Sequence, residues 1–206
     1  MKKDDGLAAG RSEVASQGLA NLDMVVLTRR DEVGERLIRD LQRIRARVRH
    51  VWPIPELLPD NADVVLCDLI PGLASRLPWI PGKPTSALIV LIPSPVAGID
   101  LEQLRKCSPH ATLHSPYGPQ AVVAALTVAR SQFAYEGRLH SRIDKLDENL
   151  QVIRAVERAK SIMMVERNMR EEEAYRYLRT QAMARGVSIG TVAAAVVESH
   201  RVLRIG

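Results

Sequence analysis

The chain has 206 residues, of which 46% are hydrophobic but only 3% aromatic, so any core is aliphatic, and the length suits one ordinary domain with a smaller helical appendage. A formal charge of +5 and a pI near 9.5 select neither a solvated surface nor a nucleic-acid footprint. Cys67 and Cys107 are far apart with no CxxC, which excludes a zinc or disulfide framework, and no apolar run reaches the length of a membrane span or signal peptide; a cytoplasmic protein without metal or cofactor is expected.

Residues 1–20 mix Lys, Asp, Gly, Ser and Ala without a sustained period and are expected to form a disordered tail. Leu22 to Thr28 is a β-branched, aliphatic run of strand length, and Asp31 to Arg45 repeats Val33, Leu37, Leu41 and Ile44 at helical spacing. A second strand is expected over Val48 to Trp52, closed by Pro53 and Pro55. The run Ala62 to Ile70 is apolar almost throughout, as a strand buried on both faces must be, and makes the central strand.

Pro and Gly over Pro71 to Pro84 leave little room for a helix before a fourth strand at Ala87 to Ile92. Ile99 to Cys107 gives one or two helical turns, Ala111 to His114 a short fifth strand, and Pro119 starts a helix where its missing N–H costs nothing.

Strands alternating with crossovers at this spacing predict an α/β fold, a doubly wound parallel five-stranded sheet covered on both faces. Over residues 21–131 the pattern resembles the receiver domain of two-component response regulators. The resemblance assigns Asp68 to the phosphoacceptor position. Where the family carries its acidic, Mg²⁺-binding pair the chain has Arg29 and Arg30; Ile92 stands for the switch hydroxyl and Ser115 for the lysine before the fifth-strand proline, Pro116. Without a cation or lysine, nothing offsets the charge of a transferring phosphoryl group. A pseudo-receiver is therefore expected, with Asp68 a vestigial phosphoacceptor that serves as a strand-end or capping residue.

Beyond Pro119, Val122, Val123, Leu126, Ala129 and Phe133 form the face that packs on the sheet. Only Gly137 interrupts the helical pattern that follows. Leu139, Ile143, Leu146, Leu150 and Ile153 are then separated by four, three, four and three residues, a heptad seam that needs a second helix. Residues 132–154 are expected to be a coiled-coil helix that forms a parallel homodimer; packing on the chain's own first domain is the other reading.

Residues 155–206 suggest a three-helix bundle: Asn168 ends the first helix, Glu171 to Glu173 begin the second, Gly186 ends it, and Ser188 caps the third. The pairs Ala159-Lys160, Ile162-Met163, Leu178-Arg179, Ala182-Met183 and Val192-Ala193, with Glu173-Ala174-Tyr175, resemble the ANTAR domain in order and spacing, and the whole chain resembles ANTAR-domain transcription antiterminators with an N-terminal pseudo-receiver. The chain departs from the family at Ser161 and Arg170, which leaves the second helix without its usual N-cap.

That resemblance implies a non-enzymatic regulator that binds hairpin loops in a leader mRNA and prevents formation of an intrinsic terminator. It also implies a ligand-sensing negative-regulator protein, similar to amide-binding proteins, that sequesters the antiterminator. Loop bases can be stacked and phosphates met by cations, and Lys160, Arg167, Tyr175, Arg176 and Arg179 are the RNA-binding candidates. Each Arg equally suits a solvated surface, and Tyr175 a core edge. Two further classes stay open. One is a DNA-binding atypical response regulator, since the last two helices, joined at Ala184 to Val187, mimic a helix-turn-helix; the other is a dimeric adaptor that binds no nucleic acid.

Overall fold

In a computed structural model, which describes residues 18–80, 82–94 and 100–204, five parallel strands form one sheet in the order β2-β1-β3-β4-β5. The strands are β1 (Asp23–Leu27), β2 (Arg47–His50), β3 (Val64–Asp68), β4 (Ala87–Ile92) and β5 (Ala111–His114), and the helices are α1 (Glu32–Arg43), α2 (Leu101–Cys107), α3 (Pro119–Arg167), α4 (Glu171–Arg185) and α5 (Ile189–Arg204). The chain divides into two compact units, residues 1–138 and 139–206.

In the first unit the central strands are buried on both sides, and alternate residues feed two separate cores. Met24, Val26, Leu66, Ile89 and Leu91 meet Leu37 and Leu41 of α1 and Val122, Leu126 and Ala129 of α3. Val25, Leu27, Val65, Leu88 and Val90 face Leu58, Leu73, Leu77, Trp79 and Cys107. On this second side most of the cover comes from connecting segments and one 3₁₀ turn, Leu73–Arg76, because Pro and Gly between β3 and β4 prevent a longer helix. Arg76 fastens that turn by donating to the carbonyls of Ile54 and Pro55, both at 3.1 Å.

Residues 1–17 of the expected tail, Ile99 of the expected fourth-crossover helix and the last two residues lie outside the described residues. The expectation that order begins only after Ala20 needs correcting: Leu19 is 3% exposed and belongs to the α1/α3 core. Mixed composition hid it, since one Leu between Gly18 and Ala20 has no period. The Ser115–Pro116 peptide is cis, as is Trp52–Pro53.

The second unit is built on the last turns of α3. Val156, Ala159 and Met163 pack with Ala174, Leu178 and Ala182 of α4 and Val192 and Ala193 of α5. Asn168, at φ 52°, and Gly186, at φ 64°, take the left-handed conformation that ends α3 and α4. Ser188 Oγ accepts the Thr191 N–H at 3.1 Å and caps α5. Gly190 lets α5 approach α3 closely, because a Cβ there would stand 2.9 Å from Val152 Cγ2. Arg170 has no side-chain acceptor, and Glu173 Oε2 instead accepts the Arg170 N–H at 3.0 Å.

Candidate functional site

The structure places the sequence-derived candidates in three locations. At the carboxyl edge of the sheet, Asp68 ends β3 and accepts the Thr28 hydroxyl at 2.9 Å; it caps no helix. A pocket of about 400 Å³ opens there, lined among others by Thr28, Arg29, Asp68, Ser94, Ser115 and Tyr117. Arg29 lies over the Trp52 ring, with Cζ 5.8 Å from its centroid, and Arg30 is paired with Glu35. Asp31 is the N-cap of α1, where its Oδ1 accepts the N–H groups of Val33 and Gly34 at 3.0 and 2.9 Å. Ile92 is 2% exposed and packs into the second core of the sheet, so the position that the receiver resemblance gives to a hydroxyl is apolar and buried here.

Burial raises the Asp68 carboxyl above its ordinary 3.8, and the Thr28 hydroxyl and Arg29 backbone pull in the other direction without cancelling it. The folded protein therefore holds the Asp68 proton more tightly than the unfolded chain. This contribution is fully present below pH 3.8 and is lost as pH rises through the raised value. Asp68→Asn, which keeps an acceptor for Thr28, is expected to raise the melting temperature at pH 7 and to lose that advantage near pH 3.5; denaturation curves at the two pH values give the comparison. Acetyl phosphate with Mg²⁺ is expected to leave the intact mass of the native chain unchanged. A gain of one phosphoryl group on Asp68 would show that phosphotransfer chemistry survives.

The second location is the seam on α3. Leu139, Ile143, Leu146, Leu150 and Ile153 all stand exposed along one stripe, between 39% and 62% open to solvent. The helix carries them without a break through Gly137. The next two heptad positions, Glu157 and Lys160, are charged, and they end the seam where the bundle begins.

At the third location, the bundle, Lys160 is 8% exposed and its ammonium is held by Glu157 at 2.8 Å and Glu171 at 2.6 Å. Hydrogen bonds to Glu157 and Glu171 raise its pKa, while Lys160 holds the Glu171 carboxyl below its usual range. In this geometry Lys160 is a clamp between α3 and α4. The direct RNA contact suggested by its place in the motif would have to displace two carboxylates.

Beside it, Tyr175, Arg176 and Arg179 face outward on α4: Tyr175 is 44% exposed, and Arg176 reaches Glu172 at 3.3 Å over a largely open side chain. Lys160, Tyr175 and Arg176 line one shallow pocket with Glu171 and Glu172. Arg167 does not join them. Its guanidinium covers the Tyr177 ring at 5.3 Å, and Tyr177 projects from a different side of α4, two residues from Tyr175. The two glutamates were missed because a motif specifies positions and not partners. Glu157, three residues before Lys160 on one helix, carried a local signal; Glu171 lies beyond the Asn168 turn and carried none.

Residues 22–130, more than half of the chain, match the family described as AmiR, N-terminal, and residues 144–197 match the ANTAR domain. The chain is similar to the aliphatic amidase regulator of Pseudomonas aeruginosa, with 27% identity over 172 residues that cover 81% of this chain and 86% of that protein. It is also similar to the transcriptional regulatory protein PdtaR of Mycobacterium tuberculosis, with 28% identity over 99 residues, 48% of each chain. Among solved structures, the response regulator StyR covers 86% of this chain and 99% of its own at a TM-score of 0.50 and 13% identity, a likeness of fold alone. Among the described residues no helix is long and apolar enough to cross a membrane.

Proposed function

Because the chain belongs to the AmiR N-terminal family and ends in an ANTAR domain, we propose that it is a transcription antiterminator whose bundle binds hairpin loops in a leader mRNA and prevents an intrinsic terminator from forming. The observation that carries this reading is the outward face of α4, where the exposed Tyr175 ring offers a stacking surface beside Arg176 and Arg179 within the ANTAR segment. Exposed loop bases are recognised by stacking and edge contacts, and guanidinium groups meet phosphates in a fork. Lys160 then acts as a positioning residue: by tying α4 to α3 it fixes the angle at which that face is presented.

Control by a ligand-sensing protein that sequesters the antiterminator belongs to the same proposal. Its support is the edge of the sheet, where Arg29, Arg30, Ile92 and Ser115 stand in place of phosphotransfer residues. An input domain that does not accept phosphate needs another signal, and a bound protein supplies one.

The test compares a two-hairpin leader RNA, the same RNA with scrambled loops, and duplex DNA at matched salt. The expected order is strong binding to the first only; equal binding to all three would refute loop recognition, and preference for the duplex would favour a DNA-binding regulator. Arg176→Ala and Arg179→Ala are each expected to reduce the salt slope of RNA binding by about one while leaving the melting temperature unchanged. Lys160→Ala behaves differently. It leaves Glu157 and Glu171 facing each other without their cation and is expected to lower the bundle's melting temperature, with RNA binding falling as a consequence.

A further inference from the structure

The bundle has a second concavity on the Tyr177 side of α4, away from the pocket shared by Lys160 and Tyr175. It is a cleft of about 570 Å³ between the end of α3, the middle of α4 and the length of α5. Met163 and Val192, 4% and 7% exposed, are among its lining residues and join it to the bundle core. Tyr177 is partly buried along it, and the Arg167 guanidinium lies over the Tyr177 ring at 5.3 Å. Gln181 and Arg185 follow Tyr177 at four-residue steps and line the same wall. On the opposite side Glu166 and His200 pair at 3.4 Å.

Three features select the class of ligand. The volume is that of a site for one small molecule, since such pockets run from roughly 300 to 1,000 Å³. An apolar lining beside an aromatic ring and a guanidinium plane takes a flat heterocycle, which can stack on either surface. Arg167 and Arg185 bring two guanidiniums to a cleft with one lining carboxylate, Glu166, so the excess charge is positive and suits an anion of the phosphate type. The Gln181 amide both donates and accepts, as the edge of a base requires.

The geometry points to a binding site for a single nucleotide unit, a base seated against Tyr177 with its phosphate at Arg167 and Arg185; in the RNA complex the occupant is one unpaired loop nucleotide. This second step rests on the antiterminator reading, whereas the chemistry of the cleft does not. Recognition would then use two faces of the bundle, the exposed arginine face of α4 and a cleft that accepts one extruded base.

Ala195 supplies the test, because it lines the cleft from the exposed side of α5 and takes no part in the bundle core. Ala195→Trp should occupy the cleft while the helices stay folded, which circular dichroism verifies. In the first arm, the full chain with labelled Met methyl groups is titrated with the four nucleoside 5′-monophosphates. At least one should shift the Met163 resonance in the native protein and none in the variant. In the second arm, the probe is the tightest two-hairpin RNA recovered from a loop-randomised library, carrying abasic substitutions one at a time. One abasic position should weaken native binding by about five- to 150-fold, the range of one aromatic stack, and should not weaken the variant further.

If no monophosphate moves Met163 and every abasic RNA affects native and variant chains equally, the cleft inference falls, while loop recognition by α4 can still stand. If the library yields no binding RNA but a monophosphate shifts Met163, the nucleotide site stands and the antiterminator reading falls. Gln181→Ala gives a second variant in both arms, expected to change which base is preferred; unchanged preference together with unaltered binding to Ala195→Trp would overturn the assignment.

Discussion

Gly34→Ala unfolds the sheet domain under conditions in which the native chain is folded. Gly34 lies in the first turn of α1, and a Cβ added there would stand 2.1 Å from the Arg29 carbonyl oxygen and 3.3 Å from Thr28 Cγ2. The nearest obstacle is backbone and cannot turn aside as a side chain would. It is also held from both ends: Asp31 caps the turn through the N–H groups of Val33 and Gly34, and Thr28 is bonded to Asp68 across β1 and β3.

Ordinary overpacking costs about 1–3 kcal/mol, and a contact this short against fixed backbone is expected to exceed about 4 kcal/mol. That is a large part of the roughly 5–15 kcal/mol that keeps a domain folded. Trp52 and Trp79, the chain's two tryptophans, both lie in this unit and report its unfolding directly. Gly137→Ala is the control: nothing lies within 4 Å of its added Cβ, and in a helix the change should stabilise by about 0.5–1 kcal/mol. A Gly34→Ala chain with the native midpoint of tryptophan fluorescence would refute the packing argument.

Gly34 also shows what the sequence concealed. The period that placed Leu37 and Leu41 in the core records apolar residues alone, so it passed over Gly34 and Asp40, which are buried in the same helix. Strands that are apolar throughout were legible to their ends: β4 begins at Ala87 and closes at Ile92, as its composition requires, and β5 and the Pro119 start of α3 likewise follow their local signals. The runs read for β1 and β3 extend a residue or two beyond the strands, because Leu22, Ala62, Leu69 and Ile70 continue the apolar composition past the strand ends.

At the functional site the division is the same. Outward display of Tyr175, Arg176 and Arg179 follows from helical spacing around the buried Ala174, Leu178 and Ala182. The engagement of Lys160 by Glu171 and of Arg167 by Tyr177 depends on how separate helices meet. No spacing within one helix encodes that meeting, so five candidates that formed one group in sequence become an exposed face, a clamp and a cleft in space.

Leu146→Glu is expected to separate a dimer into monomers and, through that, to lose the advantage of a two-hairpin RNA over a single hairpin. The seam places Leu139, Leu146 and Ile153 at one core position of the heptad and Ile143 and Leu150 at the other. In a parallel pair of chains Arg142 then faces Asp147 of the second copy, twice by symmetry. In the antiparallel register that keeps Ile143 to Ile153 overlapped, Asp147 instead meets Asp147 and Arg154 meets His140. Charge therefore favours the parallel pair, which also sends both bundles in the same direction.

In the proposed dimer five seam residues would make a short interface with Leu146, 62% exposed in the single chain, at its centre. A glutamate there brings two carboxylates to the middle of an apolar seam with no cation opposite, a burial that such a short coil does not offset. Sedimentation of the native chain should give twice the 22.8 kDa chain mass at micromolar concentration, and the variant should give 22.8 kDa. Linking two recognition modules commonly raises affinity by about 10²–10⁴-fold, so the two-hairpin RNA should lose at least about a hundredfold while a single hairpin binds as before. A native chain that sediments as a monomer would remove the seam as a dimer interface. A monomeric variant that keeps full two-hairpin affinity would instead show that the RNA brings the two bundles together, with the seam formed afterwards or not at all.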